Sequence, residues 1–113
     1  MEIKKGEIYK VWFKPRKGSH LQAGIRPAIV TSSDKKNKGD IINVTPLTKV
    51  SKRGDLGTHI IVDGYGLAQK SIALIEQTVP VDRGIILEEN YIGTIDDDEL
   101  LKEITYANQD QFA

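Results

Sequence analysis

Short apolar runs separated by turn residues constrain the fold of this chain more than any other feature. Six runs have the length and the β-branched and aromatic content of strands, at residues 6–13, 27–32, 41–48, 58–62, 71–77 and 91–95. The stretches between them are rich in Gly, Pro, Asn and Asp, which tolerate the backbone angles of turns. Many short strands at this spacing predict a small curled antiparallel sheet or a partly open barrel.

One helix is predicted, at residues 96–108, directly after the last strand. Asp96 is expected to be its N-cap, with Glu99 three residues later in a capping-box arrangement. Asp97 and Asp98 suit the positive end of the helix dipole. The apolar stripe that would pack on the sheet consists of Leu100, Leu101, Ile104 and Ala107. The predicted fold class is therefore mainly β, of the α+β type, with a C-terminal helix.

Size and composition limit the classes of protein to which this chain can belong. A chain of 113 residues is expected to form a single domain, residues 1–113, around one core. It has no cysteine, so we expect neither disulfides nor thiolate metal sites, and a reducing compartment. His20 and His59 lack the spacing of zinc ligands, and we expect no metal and no cofactor. No apolar run approaches the roughly 18 residues of a membrane span and no signal peptide is evident, so a cytoplasmic location away from membranes is expected.

The net charge of zero conceals two halves of opposite sign. Residues 1–54 contain thirteen Lys and Arg against four Asp and Glu, which gives +9. Residues 55–113 contain three Lys and Arg against twelve Asp and Glu, which gives −9. Either the two halves pair with each other in the fold, or one face of the protein attracts a polyanion such as a nucleic acid.

An arginine and a threonine stand at the ends of two neighbouring predicted strands. The segment Gly24-Ile25-Arg26-Pro27 leads into the second strand, and Thr48 ends the third. If these strands pair, Arg26 and Thr48 come together. The planar fork of a guanidinium fits phosphate oxygens, so the pair suggests a phosphate site. An arginine ahead of a strand can also serve only to discourage edge pairing.

Ordered segments over most of the chain resemble one known family. A Lys-Gly-Ser loop at residues 17–19 leads into Gly24-Ile25-Arg26-Pro27 and an apolar strand, and other matching segments are residues 6–11, 46–48, 58–62, 71–77, 82–83 and 91–96. On these motifs the chain resembles the MazF/PemK family of type II toxin–antitoxin toxins. The resemblance implies an SH3-like antiparallel β-barrel of CcdB/PemK-like type. It also implies a ribosome-independent, sequence-specific endoribonuclease that inhibits translation and growth by cutting mRNA.

By this resemblance Arg26 and Thr48 are the expected catalytic residues. RNA can be cut without a metal, because its 2′-hydroxyl attacks the adjacent phosphate to leave a 2′,3′-cyclic phosphate and a 5′-hydroxyl. Arg26 would stabilise charge on the phosphoryl oxygens, and Thr48 would hydrogen-bond the phosphate or orient the arginine. Some family members carry a Glu after the Gly-Ser pair, where this chain has His20 in a loop one residue longer. We expect His20 to replace that Glu as general base.

The expected RNA-binding residues are mostly cations of the two loops that flank Arg26 and Thr48, which would follow the phosphate backbone with salt-dependent affinity. They are Lys14, Arg16, Lys17, Ser19, Gln22, Lys49, Lys52, Arg53 and Gln77. Taken singly, each lysine can equally be a solvated loop charge. Trp12 lies inside the first predicted strand, so we expect it to be part of the core rather than a stacking platform for a base.

The resemblance implies three partners: single-stranded RNA, a cognate antitoxin with an acidic and partly disordered tail, and a second copy of the chain in a homodimer. Two other functions remain open. A CcdB-like poison of DNA gyrase shares the fold, but relies on a C-terminal Trp-Gly-Ile where this chain ends Gln111-Phe112-Ala113. A non-catalytic RNA- or peptide-binding barrel would bind without cutting.

Overall fold

Seven strands and one α-helix make up the main regular structure of the computed structural model, which describes residues 1–15, 23–50 and 60–111. These elements are β1 (Glu7–Phe13), β2 (Gly24–Val30), β3 (Ile41–Lys49), β4 (Ile60–Val62), β5 (Ser71–Ala73), β6 (Val79–Asp82), β7 (Tyr91–Thr94) and α1 (Asp98–Gln111). Short 3₁₀ turns lie at Lys36–Lys38, Ile75–Gln77, Arg83–Ile85 and Glu88–Asn90. Within the described ranges, no helix is both long and apolar enough to cross a membrane.

The sheet curls because β3 changes partners along its length. The strand order is β4-β5-β3-β2-β1-β7, all antiparallel, with β6 also paired to β3. The first part of β3 pairs with β2 and β6, whereas Leu47 to Lys49 pair with β5. The change falls next to Pro46, which has no N–H to give to a ladder. Its carbonyl accepts a hydrogen bond from the backbone of Leu74 at 2.9 Å.

The central β1–β2 hairpin is buried on both faces around Ile8 and Ile29, and on one face toward Phe13. One face contributes to a core cluster made up of Ile3, Tyr9, Val11, Phe13, Ala28, Val30, Ile42, Val44 and Ile86. The other face contributes to a second cluster made up of Ile8, Ile29, Leu47, Ile60, Val62, Ala73, Ile95 and Ile104. Burial on both faces explains why these strands are apolar over consecutive residues instead of alternating.

The C-terminal helix closes the second cluster. Ile104 is fully buried there, and Leu100, Leu101 and Ala107 pack against the same cluster, so the predicted apolar stripe is confirmed. The predicted N-cap is wrong by one residue. Asp97, and not Asp96, accepts hydrogen bonds from the backbone N–H groups of Glu99 at 3.0 Å and Leu100 at 3.2 Å.

The position of the cap follows from the sheet. The backbone N–H of Ile95 still donates to the carbonyl of Gly6 at 2.9 Å. The chain therefore needs Asp96 as a connecting residue before the helix. The first helical bond runs from the backbone of Leu101 to the carbonyl of Asp97 at 3.0 Å.

The strand predicted at residues 71–77 is a shorter strand followed by a 3₁₀ turn, and the next strand, β6, was not predicted from the sequence. β5 ends at Ala73, the 3₁₀ turn Ile75–Gln77 follows, and β6 then pairs with the first part of β3. The Thr78 hydroxyl donates to the carbonyl of Ile75 at 2.7 Å, which stabilises the turn. The turn moves the chain from one segment of β3 to the next. Pro80 argues against a strand in the sequence of β6, but an edge strand accommodates proline.

These differences leave the predicted architecture intact. The fold is a curled antiparallel half-barrel with one C-terminal helix, mainly β with an α+β arrangement, as predicted.

Candidate functional site

Glycine and the start of β2 together position the arginine. Gly24 has a φ of +81°, a conformation that favours glycine, and a Cβ there would meet nothing within 4 Å. The glycine is therefore required by the backbone angle of the turn and not by lack of space. Arg26 follows two residues later with an exposed side chain, and its Nε donates to the carbonyl of Ala23 at 3.1 Å. This bond holds the base of the guanidinium against the turn.

The structure brings Arg26 and Thr48 together. The β2–β3 ladder ends with Ala28 paired to Pro46, and Arg26 and Thr48 each lie two residues beyond that pair, at the same end of the ladder. Both side chains line a surface pocket of about 330 Å³. The rest of its lining is Pro27, Leu47, Lys49, Leu67, Ala68, Gln69 and Ser71. We call this the Arg26 pocket.

Thr48 reaches the pocket from the segment of β3 that has turned toward β5. It is half-buried and lies opposite Ile72 of β5. Its branched Cβ restricts the rotamers of the hydroxyl. Lys49, the next residue, is exposed and adds a second cation to the pocket.

The charges of the Arg26 pocket are not neutralised by nearby acids. In the described part of the chain, the ion pairs are Lys4 with Glu2 at 3.3 Å and Lys102 with Glu99 at 4.0 Å, each within one half of the sequence. No ion pair joins the basic half to the acidic half among these residues. The charge split is therefore expressed at the surface, which favours attraction of a polyanion over internal pairing.

Two of the predicted RNA-binding residues lie in a second pocket. Lys14 and Gln77 line a cavity of about 310 Å³ together with Trp12, Phe13, Pro46, Glu76, Thr78, Val79, Pro80 and Val81. We call this the Trp12 pocket. It has no lining residue in common with the Arg26 pocket, but Pro46 of one and Leu47 of the other are consecutive. The predicted RNA-binding residues that the structure describes are thus divided between two adjacent cavities.

The remaining predicted site residues fall within residues 16–22 and 51–59. They are Arg16, Lys17, Ser19, His20, Gln22, Lys52 and Arg53, and they lie outside the described residues. Across the ranges that the structure covers, no three His, Asp or Glu side chains are grouped so as to hold a metal ion.

The prediction that Trp12 belongs to the core is wrong. Its side chain is 56% exposed, and its cross-strand partner Ile25 is 68% exposed. Trp12 and Ile25 lie on the same face of the hairpin as Ile8 and Ile29, but the second core cluster covers that face only at Ile8 and Ile29. The free end of the hairpin consequently carries two large apolar side chains into solvent.

A further cavity, larger than the Arg26 pocket, is acidic and does not suit a phosphate. It measures about 670 Å³ and lies between α1 and the end of β4. Its charged lining residues are Asp63, Asp97, Glu99, Glu103 and Lys102. Four carboxylates against one ammonium repel an anion, so the smaller Arg26 pocket is the better candidate for phosphate chemistry.

The chain matches a family of known proteins. Residues 4–106 match the family described as PemK-like, MazF-like toxin of type II toxin-antitoxin system. No curated protein shows significant sequence similarity to the chain.

Solved structures share the fold. A MazF structure from Deinococcus radiodurans (Form-I) superposes with a TM-score of 0.76 at 17% identity, covering 99% of this chain and 97% of that chain. A MazE-MazF structure (Form-II) from the same organism gives 0.71 at 19% identity, covering 99% and 96%. The Mycobacterium tuberculosis toxin MazF-mt6 gives 0.68 at 18% identity, covering 92% and 96%. At these identities the likeness establishes the fold.

Proposed function

Because the chain belongs to the PemK-like, MazF-like family of type II toxin–antitoxin toxins, we propose that it is an endoribonuclease that cuts single-stranded RNA without a metal or cofactor. The observation that carries this proposal is the presence of Arg26 and Thr48 in one cationic pocket. A guanidinium and a hydroxyl that face the same cavity can both contact a single phosphodiester.

In the proposed reaction the 2′-oxygen of the RNA forms a bond to the adjacent phosphorus, and the bond from phosphorus to the 5′-oxygen breaks. The products are a 2′,3′-cyclic phosphate and a 5′-hydroxyl. The terminal nitrogens of Arg26 donate to the non-bridging oxygens, where negative charge increases in the transition state. The Thr48 hydroxyl donates to the same phosphate and helps to align the attack.

His20 is proposed to accept the proton of the 2′-hydroxyl, since an imidazole titrates close to neutral pH. The leaving 5′-oxygen takes its proton from water. Single-turnover cleavage by His20→Ala, measured against pH, tests this role. An unchanged rate and pH profile would eliminate His20 as the base.

RNA is proposed to bind across both pockets and the two flanking loops. Lys14, Lys49 and Gln77 would contact it from the described residues, together with Arg16, Lys17, Ser19, Gln22, Lys52 and Arg53. Cations at these positions neutralise phosphates and release counterions, so affinity falls as salt concentration rises.

We further propose that the toxin is a homodimer in the cytoplasm and that a cognate antitoxin inhibits it. The likeness to a chain from a MazE-MazF structure supports an antitoxin partner. The excess of nine positive charges in residues 1–54 suits an acidic antitoxin segment that folds as it binds. If the antitoxin covers the RNA site, it should stop cleavage at a stoichiometric ratio. Continued cutting in a saturated complex would contradict this arrangement.

The decisive experiment mixes the purified protein with one long single-stranded RNA in EDTA and identifies the product ends by mass spectrometry. Discrete cuts with 2′,3′-cyclic phosphate ends are expected from the wild type. Arg26→Ala should bind but not cut, whereas the matched control Lys35→Ala, which removes an exposed cation that lines neither pocket, should cut normally. Gyrase-dependent DNA breaks without RNA cutting would favour the gyrase poison. Salt-sensitive binding of intact RNA would favour a non-catalytic barrel.

A further inference from the structure

The exposed tryptophan forms one side of a cavity that has the composition of a base-binding site. Phe13, Pro46 and the β6 residues Val79 to Val81 supply apolar surface to the Trp12 pocket. The polar side chains of the lining are Lys14, Glu76, Gln77 and Thr78, and the Thr78 hydroxyl is already hydrogen-bonded within the protein. A volume of about 310 Å³ is at the small end of the range of ligand cavities.

The Trp12 pocket lies one nucleotide step from the proposed site of cleavage. Pro46 lines the Trp12 pocket and Thr48 lines the Arg26 pocket. Residues two apart on a strand share a face and are separated by about 7 Å. Trp12 lines the same cavity as Pro46. An RNA strand with its phosphate at Arg26 can therefore place a neighbouring base beside Trp12.

The chemistry of the pocket suits a single unstacked base. Aromatic side chains bind bases of single-stranded RNA by stacking on their π-faces, and specificity comes from hydrogen bonds to the base edges. The Glu76 carboxylate accepts hydrogen bonds, so it selects an edge that presents amino or imino hydrogens. The Lys14 ammonium can bind a phosphate next to that base.

We propose that Trp12 is a specificity-determining residue that stacks on the base next to the cleaved phosphodiester, while Glu76 reads the edge of that base. This inference rests on the proposed endoribonuclease function and assigns the part of the site that selects the sequence. It also accounts for a large aromatic side chain at the uncovered end of the hairpin.

The test uses intrinsic fluorescence, because Trp12 is the only tryptophan among the 113 residues. The probe is the RNA sequence mapped at a wild-type cut site, with one 2′-deoxy nucleotide in place of the attacking 2′-hydroxyl so that it binds without being cut. Stacking predicts saturable quenching of Trp12 emission on titration with this RNA. If the Trp12 emission spectrum changes with protein concentration but not with added RNA, Trp12 contacts a second copy of the chain instead. That result would overturn the inference.

Variants distinguish stacking from general apolar contact. Trp12→Ala should weaken binding of the uncut RNA by about 5- to 150-fold, the usual effect of losing one stacked base, and Trp12→Phe should retain most of the affinity. Ile25→Ala is the matched control, since Ile25 is the exposed cross-strand partner of Trp12 but does not line the pocket. It should change affinity less than about twofold. Equal effects of Trp12→Ala and Ile25→Ala would refute stacking.

Cut-site mapping tests the reading of the base edge. Trp12→Ala should relax the preference at one nucleotide position beside the cut, and Glu76→Gln should change which base is preferred at that same position, because an amide offers both a donor and an acceptor. If the wild type cuts RNA and both variants keep its base preference at that position, this inference alone is overturned. A wild type that cuts no RNA refutes the proposed function itself.

Discussion

Substitution of Arg26 separates catalysis from binding and from stability. The side chain is exposed and, within the part of the chain that the structure describes, makes one hydrogen bond, from Nε to the carbonyl of Ala23. Loss of a single exposed hydrogen bond should cost about 0.5 kcal/mol of folding free energy at most. Any large loss of activity in Arg26→Ala therefore reflects a slower cleavage step and not a smaller fraction of folded protein.

The expected kinetic effect follows from what the guanidinium does in the transition state. An arginine that stabilises a phosphoryl transition state accelerates it by about 10³- to 10⁵-fold, or about 4 to 7 kcal/mol. Arg26→Ala should lose this amount. Arg26→Lys keeps the charge but loses both the planar fork and the bond to Ala23, so it should lose about 10²-fold, as when one preorganised donor is removed.

Single-turnover cleavage with enzyme in excess gives the rate of the chemical step, and binding of uncut RNA at several salt concentrations gives the number of phosphates contacted. The slope of log affinity against log salt should decrease by about 0.7 for Arg26→Ala, the value for one phosphate of a single strand. Lys35→Ala is the control for the loss of an exposed charge. Rates of Arg26→Ala and Lys35→Ala within tenfold of wild type would refute a catalytic arginine.

Three further predictions concern the threonine, the helix cap and a buried tyrosine. Thr48→Val conserves volume but removes the hydroxyl, so it should slow single-turnover cleavage by about 10²-fold, whereas Thr48→Ser should stay close to wild type. Asp97→Ala should lower the free energy of unfolding in urea by about 1 kcal/mol through loss of the N-cap bonds, and Asp96→Ala should change it little. A larger loss of stability in Asp96→Ala than in Asp97→Ala would show that Asp96 is the N-cap, as predicted from the sequence. Burial, followed by the nearby Glu7 carboxylate, raises the pKa of Tyr9 above the ordinary value of 10.0. Tyr9 therefore stays protonated in the folded state at pH values where the unfolded chain ionises, and stability should fall as the pH rises above 10. Tyr9→Phe should show a shallower fall in urea denaturation across that range, and parallel curves for the two proteins would contradict the assignment.

Local patterns were sufficient for most of the architecture. Strands β1, β2 and β3 are apolar enough to be recognised singly, and the helical stripe around Ile104 has the expected period. The proximity of Arg26 and Thr48 followed from antiparallel pairing of two neighbouring strands, which needs no knowledge of the rest of the fold.

The errors have a common physical origin in long-range pairing. The break between β5 and β6 exists because β3 changes partners next to Pro46, which the local sequence at residues 71–77 does not encode. The helix cap moved to Asp97 because Ile95 is bonded to Gly6, about ninety residues away in sequence. Trp12 was expected in the core because its own strand is apolar, yet its exposure depends on how much of that face of the hairpin the second core cluster covers.

A double-mutant cycle of Arg26→Ala and Thr48→Val tests most directly whether the two side chains act on one phosphodiester. Single-turnover rates of the wild type, both single variants and the double variant give the coupling free energy. If both groups stabilise the same phosphate in the same step, the double variant should be faster than the product of the two single effects predicts, by a coupling of about 1 to 3 kcal/mol. Single effects that multiply fully in the double variant would show that the two residues act independently and would contradict the account.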